Sequence, residues 1–391
     1  MMRINERFLE AVHSCEPVTG YTHDFYRYPA RFSPLVIREA IRIFTEPGET
    51  VLDPFMGGGT SIVEAHLLGR KAVGSDINGL AVFLAKVKTT LMSDCDLGQI
   101  HRWAKSLNGE LNLRNVVGRD VEWIETGYQR NIGTKNTWPI RKLLELALGT
   151  LDNLQNRRQR QFARCVLLKS GQWALDCRKE IPTVGELRAR ILKDAERMAA
   201  GARAYAHALR STGETAARAI CLHRSALGLE FDRVWQFNRK PKLIVTSPPY
   251  PGIHVLYHRW QIRGRRETPA PFWIAGMQDG CGASFYTFGD RKQHDLTNYF
   301  ARTEAVFKSL AVLSSEKTVI IQIVAFSDPL TQLPRYLDAM TNAGLAEIKP
   351  ERMESRDGRI WRGVPNRKWY ASQRGEIGAS KEVVLFHRLQ R

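Results

Sequence analysis

A chain of 391 residues with 43% hydrophobic and 25% charged residues can fill a full core, and its length suits two or three domains or one large domain with an insertion. Lys and Arg number 58 against 40 Asp and Glu, a formal net charge of +18. That excess points to a polyanionic partner, nucleic acid first, and away from an anionic membrane, for which no long Lys-rich amphipathic segment stands out. No apolar run approaches the roughly 18 residues of a membrane span and the N-terminal MMRINERFLEAVHSC is too polar for a secretory leader, so a cytoplasmic, nucleoid-associated protein is expected.

From Pro34 to Phe44 the apolar spacing of PLVIREAIRIF predicts a helix. TVLDPF follows as a buried strand, MGGGT as a glycine turn, and SIVEAHLLGR as a helix closed by Gly69. KAVGSDI is a second strand ending at Asp76, and GLAVFLAKVKTTL is again helical. Strand, glycine turn, helix, strand is the pattern of a parallel α/β sheet. Between Met92 and Ala216 strand-like runs are scarce and apolar residues fall at helical spacing, with 21 Lys and Arg against 14 Asp and Glu. This stretch reads as a basic helical insertion, either a DNA-recognition region or a bundle that only packs on the core. Beyond it, RAICLHRSAL, KPKLIVTSPPY and KTVIIQIVAF predict three further strands, and LTQLPRYLDAMTNAGL a helix ending at Gly344. AEIKPERME and KEVVLFHRL read as two antiparallel strands around a polar loop.

The six cysteines, at positions 15, 95, 165, 177, 221 and 281, form no CxxC pair, no His cluster joins them at zinc-ligand spacing, and none follows a proline. They read as reduced structural thiols, and no metal site is expected. The glycine turn in VLDPFMGGGT lets backbone approach a ligand at a helix N-terminus. It is no P-loop, because no Gly-Lys-Ser/Thr follows. Asp53 beside the glycines suits an ammonium-bearing ligand, and Asp76, about 20 residues on, can accept hydrogen bonds from both ribose hydroxyls. Read alone, Asp76 is also a plausible helix cap.

TSPPY stops a strand on a stiff corner, because Pro248 and Pro249 lack backbone donors. In an open α/β sheet ligands bind beyond the carboxyl ends of the strands, so this corner and the glycine turn should share one crevice. The Ser247 hydroxyl and the free carbonyl beside Pro248 suit an exocyclic amino group, and Tyr250 suits a flat ring stacked against it.

Taken together, YPARFSP (Tyr28–Pro34), DPFMGGGT, GSDIN and TSPPY resemble the amino-group (cytosine-N4 or adenine-N6) DNA methyltransferases that use S-adenosylmethionine. The resemblance covers about residues 20–90 and 217–391. It implies a Rossmann-like class I methyltransferase fold: a seven-stranded, mostly parallel sheet with a reversed last strand, here with a mainly helical insertion. The core would comprise 1–91 and 217–391, and the insertion 92–216. Carried over residue by residue, Phe32, Asp53, Phe55, Gly57, Gly59 and Thr60 would cradle the methionine half of the cofactor, and Asp76 would hold its ribose. Ser247, Pro248, Pro249 and Tyr250 would form the catalytic tetrapeptide. A Ser at its head is commoner in cytosine-N4 enzymes, and Asp or Asn in adenine-N6 enzymes. A cytosine-C5 enzyme would need a nucleophilic Cys after a Pro, which this chain lacks.

The chain departs from the family in placing its insertion before the third strand, and in carrying Ser225 where an acid often follows that strand. The expected activity is methyl transfer to cytosine N4 in DNA. Adenine-N6 transfer, an RNA amino-methyltransferase, and an idle nucleic-acid-binding subunit are the alternatives. A cognate restriction endonuclease or another defence-system partner is implied, and no oligomeric state is. For sequence readout, the insertion competes with IHVLYHRWQIRGRRETPAPFW (Ile253–Trp273), which interleaves Arg with aromatics or else covers the active site. A third basic loop spans Ser355–Gly375, whose Trp369 and Tyr370 either line the base pocket or pack.

Overall fold

The computed structural model describes residues 4–28, 31–114, 121–212, 218–251, 258–264, 266–280, 285–288, 296–351, 355, 357–363 and 381–390. Among the described residues ten strands run in chain order: β1 (Thr50–Asp53), β2 (Lys71–Asp76), β3 (Arg218–His223), β4 (Leu243–Thr246), β5 (Trp260–Ile262), β6 (Arg266–Thr268), β7 (Val319–Ala325), β8 (Leu345–Glu347), β9 (Ile360–Gly363) and β10 (Lys381–Leu389). Eight of them form one sheet in the order β3-β2-β1-β4-β7-β10-β8, with β9 also paired to β10. Strands β3, β2, β1, β4 and β7 are mutually parallel, and β10 runs antiparallel to β7. The fold is thus α/β, Rossmann-like, with a reversed last strand.

The count differs from the expected seven by one strand, for a local reason. Strand β10 is nine residues long, whereas β8 and β9 have three and four. Strand β8 pairs with His387–Leu389 and β9 with Lys381–Val384, so the two lie end to end along one edge of β10. Seven positions across the sheet therefore hold eight strands.

Strand β7 reads VIIQIVA and is buried throughout, the continuous apolar run of a central parallel strand covered on both faces. Alternate residues supply opposite cores. Val51, Val245 and Ile321 join Val36, Ile37 and Ile62 on one face, while Leu52, Ile244 and Ile320 join Phe307, Leu310 and Tyr336 on the other.

Where described, the segment between β2 and β3 is mainly helical, with its longer helices at Asp94–Glu110, Trp138–Gly149, Arg157–Leu175 and Val184–Ser211. Two open on reciprocal capping boxes, Ser93 with Asp96 and Thr183 with Glu186. Their apolar faces share one core with Leu80, Phe83 and Leu84 of the helix Gly79–Thr89, which itself packs on the sheet. Much of the arginine content here is held by the protein itself. Arg190, Arg197 and Arg203 pair with Asp194, Asp24 and Asp94, and Arg160, Arg164 and Arg188 donate to backbone carbonyls.

The tryptophans of the aromatic-rich segment after the corner likewise face inward. Trp260 and Trp273 are fully buried, and Trp260 donates its indole N–H to the Tyr26 hydroxyl at 2.8 Å. Arg259 is paired with Asp279 and Glu267. These two tryptophans are packing residues and not stacking platforms for bases. Residues 252–257, and Trp369 and Tyr370 with them, lie outside the described residues.

Candidate active site

Strands β3, β2, β1 and β4 are neighbours and parallel, so their carboxyl ends open on one side of the sheet. The direction of strand addition reverses between β1 and β4, the switch point where α/β sheets bind ligands. A crevice of about 440 Å³ lies there, within the usual size of a small-ligand site. Each of the four strands sends its next residues into the wall: Pro54, Phe55 and Gly57 after β1, Asp76 to Asn78 at β2, Ser225 to Leu227 after β3, and Ser247 to Tyr250 after β4.

The glycine turn is wedged in place. Gly57 and Gly59 have φ of +46° and +77°, a left-handed backbone that side chains rarely adopt. A Cβ on Gly59 would lie 2.8 Å from the Ala85 Cβ, and one on Gly58 would lie 2.9 Å from the Tyr28 Cβ. The turn is thus squeezed between Tyr28 and the helix Gly79–Thr89. From that helix the buried Lys88 donates its Nζ to the Gly58 carbonyl at 2.7 Å, and burial pulls its pKa down to about 7.

Two aspartates divide the work at the strand tips. Asp53 is fully buried and faces the protein: Oδ1 accepts from Thr246 Oγ1 at 2.8 Å and from Phe55 N at 3.1 Å, and Oδ2 accepts from Ser61 Oγ. It ties β1 to β4. Asp76 lines the crevice, with Oδ2 accepting from Gly57 N at 2.9 Å and Oδ1 from Asn78 N at 2.8 Å. A carboxylate has about four lone-pair sites, so each Asp76 oxygen retains capacity for another donor. Burial raises both carboxyls to about 6.

The corner after β4 is braced from behind. Ser247 Oγ lies 3.0 Å from the Ile323 carbonyl on β7 and 3.0 Å from Tyr250 Oη. Tyr250 donates to Glu382 Oε1 on β10 at 2.7 Å, and Glu382 Oε2 accepts from Arg362 on β9 at 2.8 Å (Nε) and 2.6 Å (Nη2). Burial and the neighbouring carboxylate push the Tyr250 phenol well above its ordinary range, so it stays protonated. The Pro249 carbonyl accepts from Tyr299 Oη at 2.8 Å.

Of the residues singled out from sequence, Phe55, Gly57, Asp76, Ser247, Pro248, Pro249 and Tyr250 line the crevice together. Phe32 packs instead with Val36, Ile37 and Val51 in the core, and Asp53, Gly59 and Thr60 sit behind the wall. Tyr28, from the same YPARFSP stretch as Phe32, takes the crevice position, its hydroxyl accepting from Asn78 Nδ2 at 3.3 Å. His258, Tyr286, Phe288 and Arg302 line it as well. His258 belongs to the aromatic-rich stretch after the corner, whereas Arg302 gave no signal in the sequence and only the fold brings it here. Among the described residues no group of three or more His, Cys, Asp or Glu could hold a metal ion.

This strand order, with a glycine turn after β1 and an acid at the tip of β2, is that of a Rossmann-like methyltransferase fold. Residues 4–86 match the model of a DNA methylase family (N6/N4 methyltransferases), about a fifth of the chain. The type II methyltransferase M.MvaI of Kocuria varians is 39% identical over 72 residues, 18% of this chain and 16% of that protein. M.MjaII of Methanocaldococcus jannaschii is 30% identical over 70 residues, 18% of this chain and 13% of that one. The chain thus matches less than a fifth of the length of either relative. The solved rRNA methyltransferase aviRa of Streptomyces viridochromogenes aligns over 99% of this chain and 94% of its own, at 12% identity and a TM-score of 0.33.

S-adenosylmethionine is the cofactor of this family, and the crevice fits it on its own chemistry. Asp76 offers acceptors to a diol, Gly57 leaves room where a side chain would intrude, and Phe55, Ala226, Leu227 and Val306 give an apolar lining.

Proposed function

We propose that the protein methylates DNA on the exocyclic N4 amino group of cytosine. One observation carries the reading: the Ser-Pro-Pro-Tyr corner shares a single crevice with Asp76 and the glycine turn. S-adenosylmethionine, when bound, supplies an electrophilic methyl group. Asp76 would hold its ribose, and Phe55 and Gly57 would flank the rest.

The remaining work falls to this chain's own side chains. The Ser247 hydroxyl proton is directed into the protein, toward Ile323 O or Tyr250 Oη, leaving its oxygen free to accept an amino N–H. That hydrogen bond would orient the amino group and turn its lone pair toward the methyl donor. Tyr250 would offer its ring to the base, and the two prolines keep the corner from yielding. Positioning of this kind supplies much of the rate in a direct displacement. In duplex DNA the base must first leave the stack.

The net charge of +18 supports a polyanionic substrate. Residues 92–216 remain our candidate for sequence readout, through arginines such as the exposed Arg157 and Arg158, and a restriction endonuclease or other defence-system protein is the proposed partner. Serine at the head of the tetrapeptide favours cytosine N4 over adenine N6. Incubation with labelled S-adenosylmethionine and DNA or RNA, followed by nucleoside mass spectrometry, tests all of this. N4-methylcytosine in DNA is expected. N6-methyladenine would refute the choice of base, and transfer to RNA alone the choice of substrate. No transfer to either would leave an idle nucleic-acid-binding subunit.

A further inference from the structure

Behind the Ser-Pro-Pro-Tyr corner lies a buried pair of side chains to which the proposed transfer has given no role. Glu382 and Arg362 are directly opposite one another on β10 and β9, and both are more than nine-tenths buried. Their ion pair is bidentate at the guanidinium and single at the carboxylate, because only Oε2 meets Arg362. The other oxygen, Oε1, is given to Tyr250 at 2.7 Å. A buried carboxylate left without partners is strongly unfavourable, so this arrangement has a strict donor order.

The order has a direction. An ionised carboxylate only accepts, so the Tyr250 phenol must donate to Glu382. Its oxygen can then only accept from Ser247. Ser247 in turn sends its single proton to Tyr250 Oη or to Ile323 O, both 3.0 Å away, and never receives one from Tyr250. We infer that Glu382 is a positioning residue: acting through Tyr250, it fixes the hydrogen-bond direction at Ser247 so that the serine oxygen faces the crevice as an acceptor. This rests on the transfer to an amino group proposed above.

A neutral amide at position 382 can do what the carboxylate cannot. It can donate to Tyr250 Oη, which releases the phenol proton to Ser247. That proton then occupies the serine oxygen and competes with the substrate amino group. Arg362 pairs with the carboxylate and holds it in place, and donates to neither Ser247 nor Tyr250 in the described contacts.

The test compares wild type, Glu382→Gln, Tyr250→Phe and the double variant in single-turnover transfer from S-adenosylmethionine to DNA, with cofactor binding measured by calorimetry. Glu382→Gln should slow transfer by about ten- to a hundredfold while cofactor affinity stays within about twofold. In the Tyr250→Phe background the same change should have no further effect, since no hydroxyl remains to be redirected. A merely structural glutamate would slow both backgrounds alike, and that result overturns the inference, as would a Glu382→Gln variant as fast as wild type. If Glu382→Gln does not fold, Glu382→Gln with Arg362→Met removes the carboxylate without stranding a buried cation and should show the same loss. Absence of transfer by the wild-type protein would overturn the proposed function and this inference with it. Wild-type transfer that is indifferent to position 382 overturns the inference alone.

Discussion

Replacing Gly59 with alanine measures how tightly the glycine turn is wedged. The left-handed φ of +77° costs a residue with a Cβ about 1–2 kcal/mol. The new Cβ would also stand 2.8 Å from the Ala85 Cβ and 3.0 Å from its Cα, and a backbone atom cannot swing aside as a side-chain tip can. Overpacking of this kind adds about 1–3 kcal/mol, for a total of roughly 2–5 kcal/mol. Gly48 is the matched control: its φ is +81°, yet a Cβ there meets nothing within 4 Å, so Gly48→Ala should cost only the backbone term. Urea unfolding followed by circular dichroism reads the difference as a shift in midpoint at constant slope. Adding Ala85→Gly to Gly59→Ala should restore part of the contact term, although a helical glycine itself costs about 1 kcal/mol. Equal midpoint shifts for Gly59→Ala and Gly48→Ala would refute the wedge.

Cofactor affinity should depend on the ionisation of Asp76. With its pKa raised to about 6, the carboxylate is ionised above that pH, and affinity should fall as pH drops through about 6, by up to tenfold per unit. Calorimetric titration from pH 5 to 8 checks this. Asp53 titrates in the same range, so Asp76→Asn, which should bind weakly and without a pH step, separates the two. Ser247→Ala and Tyr250→Ala should each lower transfer far more than cofactor binding, and the reverse pattern in paired kinetic and binding assays would refute their assigned roles. For Lys88 the sign is unusual. Its folded-state pKa, about 7, lies below the ordinary lysine value, so between the two the unfolded chain holds a proton that the folded chain lacks. This lysine therefore makes stability rise with pH across that window, and Lys88→Met should flatten the rise in unfolding curves taken from pH 7 to 10. It should also cost about 1–3 kcal/mol through the stranded Gly58 carbonyl. An unchanged pH slope would place the titration elsewhere.

The parallel strands were legible because a strand covered on both faces must be apolar along its length, as VIIQIVA is. The corner and glycine turn were legible because proline and glycine restrict the backbone wherever they fall. Side-chain direction was not. Phe32 and Tyr28 stand four residues apart in one aromatic stretch, and only the entry into the helix Pro34–Phe44 decides that Phe32 turns to the core and Tyr28 to the crevice. Glu382 gave no signal either: an acid at the start of an edge-like strand reads as solvated until β9 is known to cover it. The tryptophans 260 and 273 were ambiguous for the opposite reason. Aromatics beside arginines suit a nucleic-acid surface and a helical core equally well, and here the helices between β2 and β3 claim them.

The position of β1 has a consequence for how the protein is made. Its two neighbours are β2, which follows within 20 residues, and β4, whose pairing residues Leu243 and Ile244 are synthesised almost two hundred residues later. Until then the strand that carries the glycine turn has one open edge, and Asp53 lacks the Thr246 hydroxyl that helps to satisfy it. A fragment stopping after residue 86 would contain all of the family match and none of the surface that completes it. Such a fragment should be sticky and should not hold cofactor. On the ribosome, the nascent N-terminal segment must wait, shielded or aggregation-prone, for the far half of its own sheet.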